Sequence, residues 1–89
     1  MKHDDNPILI AVGAYIRKMR ESAGYSQEGF AKKAKIDRAY YGSTERGEVN
    51  ISILTLERIA KTMGLEIKDL IPDKLLKKKR TNKKSKGST

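Results

Sequence analysis

Apolar positions along this chain recur at steps of three and four residues, the spacing of one helix face, and the pattern predicts five helices and no strands. The first begins at Pro7, a favoured first helical position after the cap candidate Asn6, and runs to about Ala23 before Gly24. Its core-facing set is Val12, Ile16, Met19 and Ala23. Ser26 can cap a second helix whose apolar side carries Phe30, Ala31 and Ala34, and Asp37 can cap a third that runs to Arg46 and stops at Gly47. Ser52 opens a fourth, in which Ile53, Leu56, Ile59, Ala60 and Met63 form one apolar stripe ended by Gly64. A last short helix, about Glu66 to Ile71, adds Ile67 and Leu70 to the core before Pro72 stops it.

Between the second and third helices lie only Lys35 and Ile36. Two short capped helices held apart by so tight a turn have the layout of a helix-turn-helix, and the stretch Tyr25 to Gly47, YSQEGFAKKAKIDRAYYGSTERG, therefore points toward DNA.

The same residues resemble the XRE family of phage-repressor-like regulators, whose pattern SQEELA, then a capped helix, then IERG, is approximated here by SQEGFA and STERG. The likeness extends from about Val12 to Ile71. It implies an all-α, compact five-helix, lambda-repressor-like DNA-binding domain with the motif at helices two and three. Two positions depart from the pattern. Gly29 falls inside the second helix, where glycine costs roughly 1 kcal/mol relative to alanine, and Thr44 stands where the family has an apolar core residue. Both read as local losses of stability. Within the family the chain looks most like the controller proteins of restriction and modification systems, whose recognition helices often begin as DRAY does here.

In this class the third helix, about 38–46, enters the major groove by its N-terminal end. On that alignment Arg38, Ala39, Tyr40 and Ser43 are the expected base contacts. Arg38 leads, because a guanidinium can donate two hydrogen bonds to guanine O6 and N7; Ala39 can meet a thymine methyl, and Ser43 can bond several base edges. Asp37 reads as a cap. Of the adjacent tyrosines, Tyr41 belongs to the core and Tyr40 to the outer side, where it either reaches DNA or packs half-buried. The expected phosphate contacts are Gln27, at the first turn of the second helix where amides and dipole favour an anion, and Arg46, Asn50 and Ser52 around the following loop. Asn50 and Ser52 serve equally well as turn and cap residues. The resemblance also implies an ion pair between Arg20 and Glu45.

One recognition helix in one groove makes a small interface, so a homodimer on a palindromic operator is expected. Leu54, on the otherwise polar side of the fourth helix with Glu57, Arg58 and Lys61, is the candidate dimer contact together with the last helix and its Ile67.

Charge sharpens the division of the chain. The 89 residues carry a net +9, but residues 74–89 hold Lys74, Lys77, Lys78, Lys79, Arg80, Lys83, Lys84 and Lys86 with no acid, leaving residues 1–73 at +1. The domain at 7–73 must then bind DNA through a local patch, between a flexible leader at 1–6 and a disordered polybasic tail at 74–89 that tracks phosphates or merely solubilises. An antitoxin-like alternative would wrap that tail around an acidic protein partner.

Other classes find little support. There is no cysteine, so disulfides and thiolate metal sites are excluded. The only histidine, His3, lies in the leader, and the acids are scattered or used as caps, so no catalytic set, metal site or cofactor is expected and the chain does not read as an enzyme. The longest apolar run, Ile8 to Val12, is too short to span a bilayer, and the leader lacks a basic signal-peptide start. A cytoplasmic, nucleoid-associated protein is the expectation.

Overall fold

The structure, a computed structural model, describes residues 6–75. Helix α1 spans Pro7–Ser22, α2 Gln27–Ala34, α3 Arg38–Glu45 and α4 Ile53–Thr62, followed by a short 3-10 turn at Ile67–Leu70. No strand occurs among the described residues. The expected leader and tail fall mostly outside this range; Leu75, two residues past the expected domain boundary at Asp73, is partly buried against the core.

Every α-helix starts at the side chain that the sequence marks for it. Asn6 accepts from the N–H groups of Ile8 and Leu9 at 3.0 and 3.1 Å. Ser26 accepts from Gly29 at 2.9 Å, Asp37 from Tyr40 at 3.0 Å and Ser52 from Thr55 at 3.1 Å. Each satisfies a donor that helix geometry leaves orphaned and contributes about 1 kcal/mol. Gly29 thus lies in the first turn of α2, with its N–H engaged by the cap, rather than in the helix interior.

The core is formed by Val12 and Ile16 of α1, Phe30, Ala31 and Ala34 of α2, Tyr41 of α3, Leu56, Ile59 and Ala60 of α4, and Leu70. Its centre is aromatic: Phe30 lies 5.3 Å from Tyr41 and 5.3 Å from Tyr25, the latter edge-on, geometries that add to simple burial. Thr44 is buried in the family's apolar position without an orphaned hydroxyl, since Oγ1 donates to the Tyr40 carbonyl at 3.0 Å. That bond removes most of the expected cost.

Two core expectations are corrected. Ala23 is exposed, because it is the capping residue after α1 and its N–H turns back to the Met19 and Arg20 carbonyls. Ile53 is 66% exposed. It lies on the apolar stripe by phase, but as the first residue of α4 it stands beyond the helices that cover Leu56 and Ile59.

What brings α3 into position is a close crossing with α1. A Cβ on Gly13 would lie 2.4 Å from the Thr44 carbonyl oxygen and 2.6 Å from that of Glu45, both backbone atoms that cannot yield. Gly47, at φ 75°, admits the backbone of Ile10 equally closely. The end of α3 is therefore seated on α1 by two glycines, of which Gly13 carries no signal in the sequence pattern.

Candidate nucleic-acid interface

The start of α3 is open. Arg38 and Ala39 are the first two residues after the Asp37 cap, and both are exposed. Arg38 has one long approach, 4.0 Å from its Nε to Oε1 of Glu28, itself exposed on α2. Its guanidinium is held away from the helix by nothing stronger, so it can turn toward a base pair. Asp37 is committed to the cap, as expected.

One turn on, the outer face carries Ser43 and Arg46. Arg46 Nη2 donates to Ser43 Oγ at 3.2 Å, while its Nε donates to Glu48 Oε2 at 3.0 Å. That bond raises the pKa of Arg46 and lowers that of Glu48. Neither bond uses Nη1, so Arg46 can meet a phosphate while its Nε holds Glu48. Neither Glu48 nor Glu28 was singled out in the sequence, although a carboxylate two residues from Arg46 is a local signal that could have been read.

Tyr40 takes the half-buried alternative. It lines an open groove with Lys35, Ile36, Leu54, Thr55 and Arg58, at the seam between the α2–α3 turn and α4. Arg58 Nη1 donates to the Lys35 carbonyl at 3.3 Å across the same seam. Tyr40 is accordingly brought beside Leu54, a candidate from the other end of the argument.

The end of α3 is closed. Glu45 Oε2 accepts from Arg20 Nε at 2.7 Å and Oε1 accepts from Arg20 Nη2 at 3.1 Å, with only 2% of the Glu45 side chain and 7% of the Arg20 side chain exposed. Arg20 also donates to the Tyr25 carbonyl at 2.7 Å, which ties the α1–α2 turn to the pair. Burial pushes the Glu45 carboxyl upward, but the hydrogen bonds from Arg20, followed by the approach of the Tyr41 hydroxyl and the bond from Gln27, outweigh it and leave its pKa below the ordinary value. The hydrogen bond to Glu45 raises Arg20 in turn. Burial, reinforced by the nearby Glu45 charge, raises the pKa of Tyr41 far above the phenol range. Its fully buried hydroxyl has no hydrogen-bond partner among the described residues.

Gln27 opens α2 and is half-buried, its Nε2 donating to Glu45 Oε1 at 3.0 Å. Asn50 is exposed in the loop after α3. The Ser52 hydroxyl is doubly used within α4, accepting from the Thr55 N–H at 3.1 Å and donating to Thr55 Oγ1 at 3.0 Å. A phosphate offers only acceptor oxygens, so Ser52 would have to release Thr55 to meet one.

Leu54 is 76% exposed beside the exposed Ile53. Ile67 is half-buried in an adjacent groove with Ala60, Leu65, Glu57 and Lys61. Glu57 and Lys61 also line the groove that contains Leu54, so one continuous face runs from Leu54 to Ile67. Among the described residues no group of acids and histidines is arranged to hold a metal ion, and no helix is long and apolar enough to cross a membrane.

A helix-turn-helix family model, HTH_3, matches residues 16–70, which contain the last part of α1, both motif helices, α4 and the 3-10 turn. The chain belongs to the helix-turn-helix family. It is a DNA-binding transcriptional regulator of the XRE type. Control protein C.MunI of a Mycoplasma species is 39% identical over 69 residues, covering 76% of this chain and 93% of that relative. Among solved structures, the restriction-modification controller protein C.AhdI from Aeromonas hydrophila superposes with a TM-score of 0.69 at 33% identity, covering 71% of this chain and 96% of that one. The biofilm regulator SinR, solved in complex with DNA, gives 0.63 at 32% identity, covering 66% and 95%.

Proposed function

We infer that the protein binds a palindromic operator as a homodimer, with α3 in the major groove, and regulates transcription through its own concentration. The open start of α3 carries this reading. Arg38 and Ala39 project at the end of the helix that this motif class directs at base edges, and Arg38 is tied down only by a 4.0 Å approach to Glu28. Arg38, Ala39, Tyr40 and Ser43 read the bases; Gln27, Arg46, Asn50 and Ser52 meet phosphates. The face from Leu54 to Ile67 covers its symmetry mate. Because Tyr40 shares a groove with Leu54, dimer formation also braces one of the reading residues. The basic run from Lys74 to Lys86 adds affinity without base selectivity. The role is one of binding, not catalysis.

Selection of bound duplexes from a random pool by the full chain at near-physiological salt tests the reading. The expected product is a two-fold palindrome with half-sites about 34 Å apart, one turn of duplex. Recovery of DNA with no enriched sequence would overturn it.

A further inference from the structure

Gln27 is held at the nitrogen of its carboxamide. Nε2 donates to Glu45 Oε1 at 3.0 Å, while Oε1 passes over Gly42, 3.4 Å from where a Cβ would stand, an ordinary contact distance. Glu45 cannot drift, because Arg20 holds both of its oxygens at 2.7 and 3.1 Å. A free glutamine side chain turns about several bonds, and its amide presents either nitrogen or oxygen. A carboxylate accepts only, so it admits the nitrogen and rejects the oxygen. A primary amide has two N–H groups, and Glu45 occupies one.

We propose that Glu45 is a positioning residue for DNA binding: it fixes the Gln27 carboxamide so that its second N–H donates to a backbone phosphate. The Arg20–Glu45 pair then has a task beyond joining α1 to α3. Arg20 cancels the carboxylate's charge, so the anion that orients Gln27 does not repel the phosphate that Gln27 meets. This inference rests on the assignment of Gln27 as a phosphate contact, and the two can fail separately.

A scan of single methylphosphonate substitutions, each neutralising one phosphate of a selected operator half-site, provides the readout. Gln27→Ala identifies the contact: at one phosphate the wild type loses affinity on neutralisation and Gln27→Ala loses none. The double variant Arg20→Met/Glu45→Met replaces the pair by apolar chains of similar length, an exchange that buried ion pairs often tolerate; a cooperative melt and helical circular dichroism establish that it is folded. Expected is the same insensitivity at that one phosphate, an affinity loss of roughly 3- to 10-fold as for one hydrogen bond, and no further loss when Gln27→Ala is added. Arg20→Leu/Glu45→Leu, a second apolar replacement of the pair that likewise removes the acceptor, should show the same insensitivity if the methionine variant does not fold. Either folded double variant keeping the wild-type sensitivity overturns the positioning role while leaving the contact intact. A Gln27→Ala protein with wild-type sensitivity at every phosphate overturns the contact, and the inference with it.

Discussion

At its start α3 offers Arg38 and Ala39 to solvent with a single long approach to Glu28, whereas at its end Glu45 lies between Arg20 and Gln27 and the backbone presses on Gly13 of α1. The two ends belong to one helix of eight residues. They divide the labour: the closed end fixes the axis and rotation of α3, and the open end has side chains free to meet DNA. Substitutions at the closed end should therefore register first in folding, and those at the open end only in binding.

The largest expected effect is at the closed end. Glu45→Ala leaves the Arg20 guanidinium buried without its anion, which should cost about 3 to 5 kcal/mol, a large share of the roughly 5 to 15 kcal/mol that holds a small domain together. Urea denaturation measures it; a loss below about 1 kcal/mol, the range of exposed pairs, would break the distinction between the ends. Acid should act in the same direction. The folded-state pKa of Glu45 is lowered, so its stabilisation is present at neutral pH and above the unfolded value, and is lost as pH falls through the lowered folded value. In Arg20→Met/Glu45→Met the urea midpoint should fall less steeply with acid.

At the open end, Arg38→Ala should leave stability within about 0.5 kcal/mol, as for an exposed side chain, yet weaken operator binding by about 1 to 3 kcal/mol and relax base preference at one position. Melting curves and repeated duplex selection read the two quantities on one protein. An unchanged selected sequence would remove Arg38 as the reader; a drop in melting temperature comparable to that of Glu45→Ala would mean that the open end is not free after all.

The same contrast explains how much the chain shows before it is folded. Asn6, Ser26, Asp37 and Ser52 were legible as caps because each acts on N–H groups two or three residues ahead. Phe30, Ala31 and Ala34 were legible because their spacing alone puts them on one face. The closed end depends on partners distant in sequence: Arg20 and Glu45 are 25 residues apart and were expected only through family resemblance, and the Gln27 bond to Glu45 spans 18. Gly13 was invisible because its reason is the carbonyls of another helix. Ile53 misled because periodicity gives a direction around a helix and says nothing of where along it the neighbouring helices end. Of the interface, exposure at Arg38 and Ala39 followed from the cap at Asp37 and Glu48 was a local neighbour of Arg46, while Glu28 beside Arg38 emerged only from the fold.

The smallest effect probes the turn that delivers the open end. Lys35 ends α2 at φ 60°, the left-handed region, where a side chain costs roughly 1 to 2 kcal/mol relative to glycine. Lys35→Gly removes that strain but frees the unfolded chain, an opposing term of about 0.5 to 1 kcal/mol, so a net gain of a few tenths to about 1 kcal/mol is expected. The contact that braces this turn, from Arg58 Nη1 to the Lys35 carbonyl at 3.3 Å, involves backbone that glycine retains, so the angle between α2 and α3 should persist. Operator affinity should then fall only by the loss of one surface charge, seen as a shallower salt dependence with no change in selected sequence. Altered base preference with a gain in stability would show that the start of α3 draws its aim from the stiffness of this turn, and that it is held in place more firmly than its exposed side chains indicate.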